Sequence, residues 1–150
     1  MAGIELRSSA FTEHTPIPDR YSHANGDMSP PLEWLDVPEG TAELALICED
    51  PDAPTGTFTH WLLANVSPSV TGIDESEQPP DAVGGNNDFG GTGYGGPHPP
   101  PGDEPHRYFF RLYALREPLN MSPGFTADQL RQTMDDTTLG SGHLVGTYGR

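Results

Sequence analysis

Apolar and polar residues alternate with period two in three stretches of the chain, and each stretch predicts a strand. In Glu43-Leu44-Ala45-Leu46-Ile47-Cys48-Glu49-Asp50, the residues Leu44, Leu46 and Cys48 share a face with Asp50, while Glu43 and Glu49 fall on the other. Over 57–66, Phe58, His60, Leu62, Ala64 and Val66 fall on one face. Over 106–115, His106, Tyr108, Phe110, Leu112 and Ala114 share a face, and Arg107 and Arg111 share the opposite one. Weaker strand patterns cover 4–11, 32–37 and 143–148. One helix is predicted. Thr126 caps it with Gln129 as the capping-box partner, Ala127, Leu130 and Met134 form its apolar stripe, and Gly140-Ser141-Gly142 ends it. Residues 12–31 and 67–92 read as long irregular segments, and 93–105 as a loop dense in glycine and proline. Several short strands, many turns and one helix predict a mainly β domain, a sandwich or barrel, spanning residues 1–150.

Strand parity brings out three residues that composition does not. Asp50, His60 and His106 each lie at or near a strand end, and each has the parity of an apolar, core-directed face. Three buried polar groups need partners, and facing one another around a shared pocket supplies them. The loop Gly93-Tyr94-Gly95-Gly96-Pro97-His98-Pro99-Pro100-Pro101-Gly102 runs through Asp103-Glu104-Pro105 into His106, so it forms the rim of such a pocket. Glycine lets a backbone approach a ligand closely, and proline lowers the entropy of a loop. The plainer reading is that each histidine is a satisfied core residue and the loop a surface connection.

Composition narrows the partners. The chain of 150 residues has 22 acidic residues against 7 basic ones, all arginine, for a formal net charge of −15. Nucleic acids and anionic membrane surfaces attract positive patches, so neither is expected as a partner, and no stable membrane association is expected. The acidic residues are spread along the chain as a solvated surface, which reads as an adaptation to high salt. No apolar run approaches the ~18 residues of a membrane span. The N-terminal residues do not resemble a signal peptide, which predicts a cytoplasmic location. The one cysteine, Cys48, excludes an internal disulfide and a cysteine-based zinc cage.

Three chemistries compete for Asp50, His60 and His106. Two imidazoles and a carboxylate can hold a divalent metal, but the spacing of Asp50 and His60 is not that of a facial triad. Nucleophilic catalysis needs a hydroxyl or thiol beside a base, and no Gly-x-Ser-x-Gly elbow occurs. The third is recognition of a phosphate-like anion or zwitterion, with imidazole N–H groups, the Tyr108 hydroxyl and loop amides as donors. This predicts a non-enzymatic binding protein without a cofactor or metal. The alternatives are a protease or kinase inhibitor acting through the 93–105 loop, and a metal-dependent or acid–base hydrolase built on Asp50, His60 and His106. A homodimer is left open.

Several motifs in order carry a family resemblance. Asp50-Pro51-Asp52-Ala53-Pro54, Thr59-His60-Trp61, Gly93-Tyr94-Gly95-Gly96-Pro97-x-Pro99-Pro100-x-Gly102 and His106-Arg107-Tyr108 resemble the phosphatidylethanolamine-binding protein family, also called Raf kinase inhibitor-like proteins. Ile17-Pro18-x-Arg20-Tyr21, Ser29-Pro30-Pro31-Leu32-x-Trp34, Gly85-x-Asn87-Asp88-Phe89-Gly90 and Gly146-Thr147-Tyr148-Gly149-Arg150 resemble its prokaryotic, YbhB/YbcL-type branch. The resemblance covers nearly the whole chain. It implies an antiparallel β-sandwich of Greek-key type with one or two short helices, and a small pocket for phosphate-like groups. It implies that Asp50, Asp52, His60, His106 and Tyr108 serve that pocket and that Gly96 and Pro97 form its rim. Kinase or protease partners are also implied. His98 stands where the branch often carries cysteine, and it is expected to face solvent. The Ala53–Pro54 bond is expected to be cis, so that the turn brings Asp50 and Asp52 together.

Overall fold

The computed structural model describes residues 2–150. In chain order the strands are β1 (Ala2–Gly3), β2 (Glu5–Arg7), β3 (Thr15–Pro16), β4 (Leu32–Leu35), β5 (Glu43–Asp50), β6 (Phe58–Val66), β7 (Gly72–Ile73), β8 (Val83–Gly84), β9 (His106–Leu115) and β10 (Thr138–Tyr148). The helix α1 spans Ala127–Met134, and two 3-10 turns cover Asp19–Tyr21 and His23–Asn25.

Seven strands form one sheet in the order β1-β10-β9-β5-β6-β8, with β3 also pairing with β10. A second sheet has the order β2-β4-β7. The pairings are antiparallel except those of β1 and β3 with β10, which are parallel. The architecture is therefore mainly β, as expected, with a mixed edge that the alternation pattern did not show.

Why β5 carries apolar residues on both faces follows from its position. It lies between β6 and β9, and every residue from Glu43 to Asp50 is buried. On one face, Leu44, Leu46 and Cys48 pack with Phe110 and Leu112 of β9 and with Leu6, Trp34 and Ile73 of the smaller sheet. On the other, Ala45 and Ile47 pack with Leu62 and Ala64 of β6 and with Phe125, Leu130 and Met134 from α1 and its approach. Two of the three buried acids of β5, Glu43 and Glu49, are satisfied away from the strand's end. Glu43 accepts the Asn65 and Leu119 amides at 3.1 Å each, and Glu49 accepts from Arg111 and Arg131.

The single apolar face expected for β6 is broken by two register shifts. Thr59 stands opposite Glu49 and Trp61 opposite Cys48, so His60 is the extra residue of a bulge. The second shift lies between the Leu44–Val66 and Leu46–Leu63 pairs, beside Asn65 with its φ of 59°. Trp61, Leu63 and Val66 therefore join the core under the small sheet, while Leu62 and Ala64 face α1.

The helix begins as its cap predicts. The Thr126 hydroxyl accepts the Gln129 amide at 3.1 Å, and the Gln129 side chain accepts the Thr126 amide at 2.9 Å. Its end differs from expectation, because Gly140-Ser141-Gly142 belongs to β10. Those glycines serve a close strand crossing. The Ile4 amide donates to the Ser141 carbonyl at 3.0 Å, and a Cβ on Gly142 would lie 2.1 Å from the Ile4 carbonyl oxygen. The Ala53–Pro54 expectation is also corrected, since no peptide bond among the described residues is cis. The turn closes instead through a side chain, with Asp50 Oδ1 accepting the Asp52 amide at 2.8 Å.

Candidate functional site

Strands β5, β6 and β9 each contribute to the floor of one cavity. Asp50 ends β5, His60 is the bulged residue of β6, and His106 and Tyr108 open β9. The cavity measures about 290 Å³. Its walls come from the Ala53-Pro54-Thr55 turn, Phe58, Asp88-Phe89 and His98-Pro99-Pro100. No lysine or arginine lines it.

The four floor residues are deeply buried, with 3% of Asp50, 3% of His60, 4% of His106 and 0% of Tyr108 exposed. Their hydrogen bonds give them different roles. His106 Nδ1 lies 2.7 Å from Asp50 Oδ2, and its Nε2 lies 3.1 Å from Asp103 Oδ2. Carboxylates accept, so both ring nitrogens donate and the ring is an imidazolium. Burial by itself would lower the His106 pKa, but the bonds to Asp50 and Asp103 outweigh it and hold it above the ordinary histidine value. Both donors are thereby used within the protein.

His60 is the complementary case. Its Nδ1–H donates to the Gly95 carbonyl at 2.7 Å, which fixes the tautomer, and Nε2 makes no hydrogen bond among the described residues. Burial pushes its pKa down, against the Gly95 bond and the charge of Asp50. Near neutral pH, Nε2 is therefore an open acceptor that becomes a donor on protonation. Beside it, the Tyr108 hydroxyl is buried with no hydrogen-bond partner among the described residues. Burial, with the Asp50 charge second, keeps this phenol protonated far above neutral pH. An unpaired buried hydroxyl costs about 1–3 kcal/mol, a cost that an acceptor brought against it in the cavity would offset.

The remaining expected site residues stand behind these. Asp52 faces away from the cavity, and its carboxylate accepts from the Arg107 amide at 2.9 Å, Nε at 2.9 Å and Nη2 at 2.8 Å. Those bonds hold its pKa at about 2. Gly96 and Pro97 do not line the cavity but anchor the rim to the 3-10 segment. The Gly96 amide donates to Asp27 Oδ1 at 2.8 Å, and the Pro97 carbonyl accepts the His23 amide at 3.0 Å. A Cβ on Gly96 would lie 2.2 Å from the Tyr21 carbonyl oxygen, so only glycine fits. His98 is exposed, as expected, and its ring edge meets His23, which stacks on Phe89 with centroids 4.2 Å apart.

Three contributors, Phe58, Phe89 and Asp103, were not singled out from the sequence. Phe58 and Phe89 meet edge to face with centroids 4.8 Å apart and wall one side, and Phe89 is legible only within its Asn87-Asp88-Phe89-Gly90 motif. Asp103 was passed over although it sits three residues before His106 in the loop.

The family model for phosphatidylethanolamine-binding protein matches residues 7–149. The chain belongs to the phosphatidylethanolamine-binding protein family. A UPF0098 protein of Methanothermobacter thermautotrophicus is 43% identical over 152 residues, covering 98% of this chain and 99% of its own. Among solved structures, the phosphatidylethanolamine-binding protein homolog CT736 from Chlamydia trachomatis superposes with a TM-score of 0.92 at 40% identity, covering 99% of this chain and 98% of that one. YbcL of Escherichia coli, described as a member of the mammalian family, superposes with a TM-score of 0.93 at 28% identity over 99% of both chains. Family membership makes this a protein with the family's binding fold. Among the described residues, no helix is long and apolar enough to cross a membrane.

Proposed function

We infer that this cavity binds a small phosphate-like group, as a free anion or as a phospho-head group, without transforming it. The observation that carries the reading is the buried, unpartnered Tyr108 hydroxyl beside the free Nε2 of His60. The phenol donates to one ligand oxygen. Neutral His60 accepts a hydrogen bond from the hydroxyl of a monoanionic phosphate, and protonated His60 donates one to an ionised oxygen. The wall tells what accompanies the anion. Asp88 and the faces of Phe58 and Phe89 supply a carboxylate and aromatic rings, and no arginine or lysine is present to neutralise a second negative charge. A singly charged or zwitterionic head group suits that wall better than a bare dianion.

Calorimetric titration with inorganic phosphate, phosphoethanolamine and dimethyl phosphate tests the reading. Dimethyl phosphate stays a monoanion between pH 5 and 8, so its pH dependence reports the protein. Its affinity is expected to fall as pH rises through the depressed His60 pKa, below the ordinary value of ~6.5. His60→Ala is expected to remove that dependence. Absence of binding by all three ligands, or a flat dimethyl phosphate profile, overturns the reading.

A further inference from the structure

We propose that Asp103 is a positioning residue of this pocket. Its bond to the His106 imidazolium clasps the 98–105 loop against the sheet, and the wall made by Pro99 and Pro100 loosens when the ring loses its proton. The inference rests on the reading of the cavity as a ligand site.

The connection is short and specific. Pro99 and Pro100 line the cavity, and the loop that carries them returns to β9 at His106. Among the described residues, Asp103 is the one member of 98–105 whose own side chain makes a hydrogen bond. The other ties near this end involve the chain terminus, with the Gly102 amide donating to the Arg150 carbonyl at 3.2 Å and Arg150 Nε to the Pro99 carbonyl at 2.7 Å.

A neutral imidazole has one N–H for two carboxylates. The Asp50 side chain is 4% exposed and the Asp103 side chain 41% exposed. Leaving Asp50 unpaired strands a charge out of water, whereas Asp103 is rehydrated at small cost. The proton therefore stays on Nδ1, and Nε2 turns a lone pair toward Asp103. The clasp changes from attractive to repulsive at that step.

The groups around the ring act in the same direction or are silent. Asp50 on β5 and Asp103 on the loop favour the imidazolium. Glu104 adjoins Asp103 in the chain, and the acid of the Asp52–Arg107 pair is held by its arginine. Tyr108 follows on the same strand with its phenol kept protonated by burial, and Tyr148 stands opposite His106 on β10 with its hydroxyl on Asp19. The His106 pKa is raised and the His60 pKa lowered, so the two rings titrate in separate ranges, His106 at the higher pH.

The test is made without ligand. NMR follows the His106 ring, and amide exchange of Gly102 and Asp103 is measured across its titration, each rate divided by that of an unstructured chain at the same pH. In the wild type, protection is expected to fall about fivefold, the factor carried by a bond of ~1 kcal/mol. Asp103→Asn is expected to abolish the step, because an amide both donates and accepts and so serves either form of the ring. The same substitution lowers the His106 pKa. Unchanged protection in the wild type, or an equal step in Asp103→Asn, overturns the clasp. Phosphate calorimetry on both proteins separates the two readings. An exchange step without phosphate binding leaves the clasp standing and removes the ligand site, and phosphate binding without the step does the reverse.

Discussion

The rings of His60 and Tyr108 meet edge to face at the cavity floor, with centroids 5.2 Å apart at 75°. One ring is tied at its far nitrogen to the Gly95 carbonyl, and the other is tied to nothing through its hydroxyl. The arrangement holds a donor and an acceptor side by side next to the Asp50–His106 pair.

Tyr108→Phe separates binding from stability. Removing an unsatisfied buried hydroxyl costs the empty protein nothing and is expected to stabilise it by up to about 1 kcal/mol in urea unfolding. The same change is expected to weaken phosphate binding about tenfold, the equivalent of ~1.4 kcal/mol. A loss of stability in the empty protein would show that the hydroxyl has a partner within the chain.

Gly96→Ala tests the rim anchor. The new Cβ would fall 2.2 Å from a backbone oxygen of Tyr21 and 2.7 Å from the Ser22 carbonyl carbon, neither of which can rotate away. Destabilisation of about 3 kcal/mol or more is expected, read as a drop in the urea midpoint.

Asp52 contributes stability at neutral pH that acid removes. Its folded pKa of about 2 lies below the unfolded carboxylate value, so the contribution is present above that unfolded value and is lost as pH falls toward the folded one. Compared with Asp52→Asn, the wild type is expected to lose its advantage between about pH 4 and pH 2. Urea midpoints of the two proteins at matched pH give the comparison. A constant difference across that window would mean that Arg107 does not hold the carboxylate.

Salt is expected to stabilise the fold. Five of the seven arginines form ion pairs, those at 7, 20, 107, 111 and 131, and salt weakens these. Salt also screens the mutual repulsion of the 15 excess negative charges, and this gain is expected to outweigh the loss. The urea midpoint should therefore rise from low to molar salt, and equal midpoints would exclude a salt-adapted surface.

Much of the fold is legible in the residue pattern because burial on one or both faces imposes it. The strands over 43–50, 58–66 and 106–115 and the Thr126–Gln129 cap lie where their periodicity and chemistry put them. Bulges leave no such trace. An extra residue changes which face follows, not which residue types occur, so the two shifts in β6 were invisible and Leu62 and Ala64 were assigned to the wrong side. Gly140-Ser141-Gly142 was read as a helix stop because glycine favours both chain ends and tight crossings, and only the partner at Ile4 distinguishes them. In the candidate site, parity brought Asp50, His60 and His106 together. It could not separate a residue lining the cavity from one supporting it, as Asp52, Gly96 and Pro97 do, because that depends on partners distant in the chain.

The bulge at His60 has a consequence for how the cavity can change. Trp61 stays opposite Cys48 and Thr59 opposite Glu49, so the hairpin keeps its alignment on both sides of the extra residue. Deleting residue 60 would close the ladder into regular pairing and remove the floor group in one step. Replacing it leaves the flanking contacts in place. The core and the cavity floor are thus written in different residues of the same strand, and the chemistry of the floor is free to diverge while the scaffold is retained.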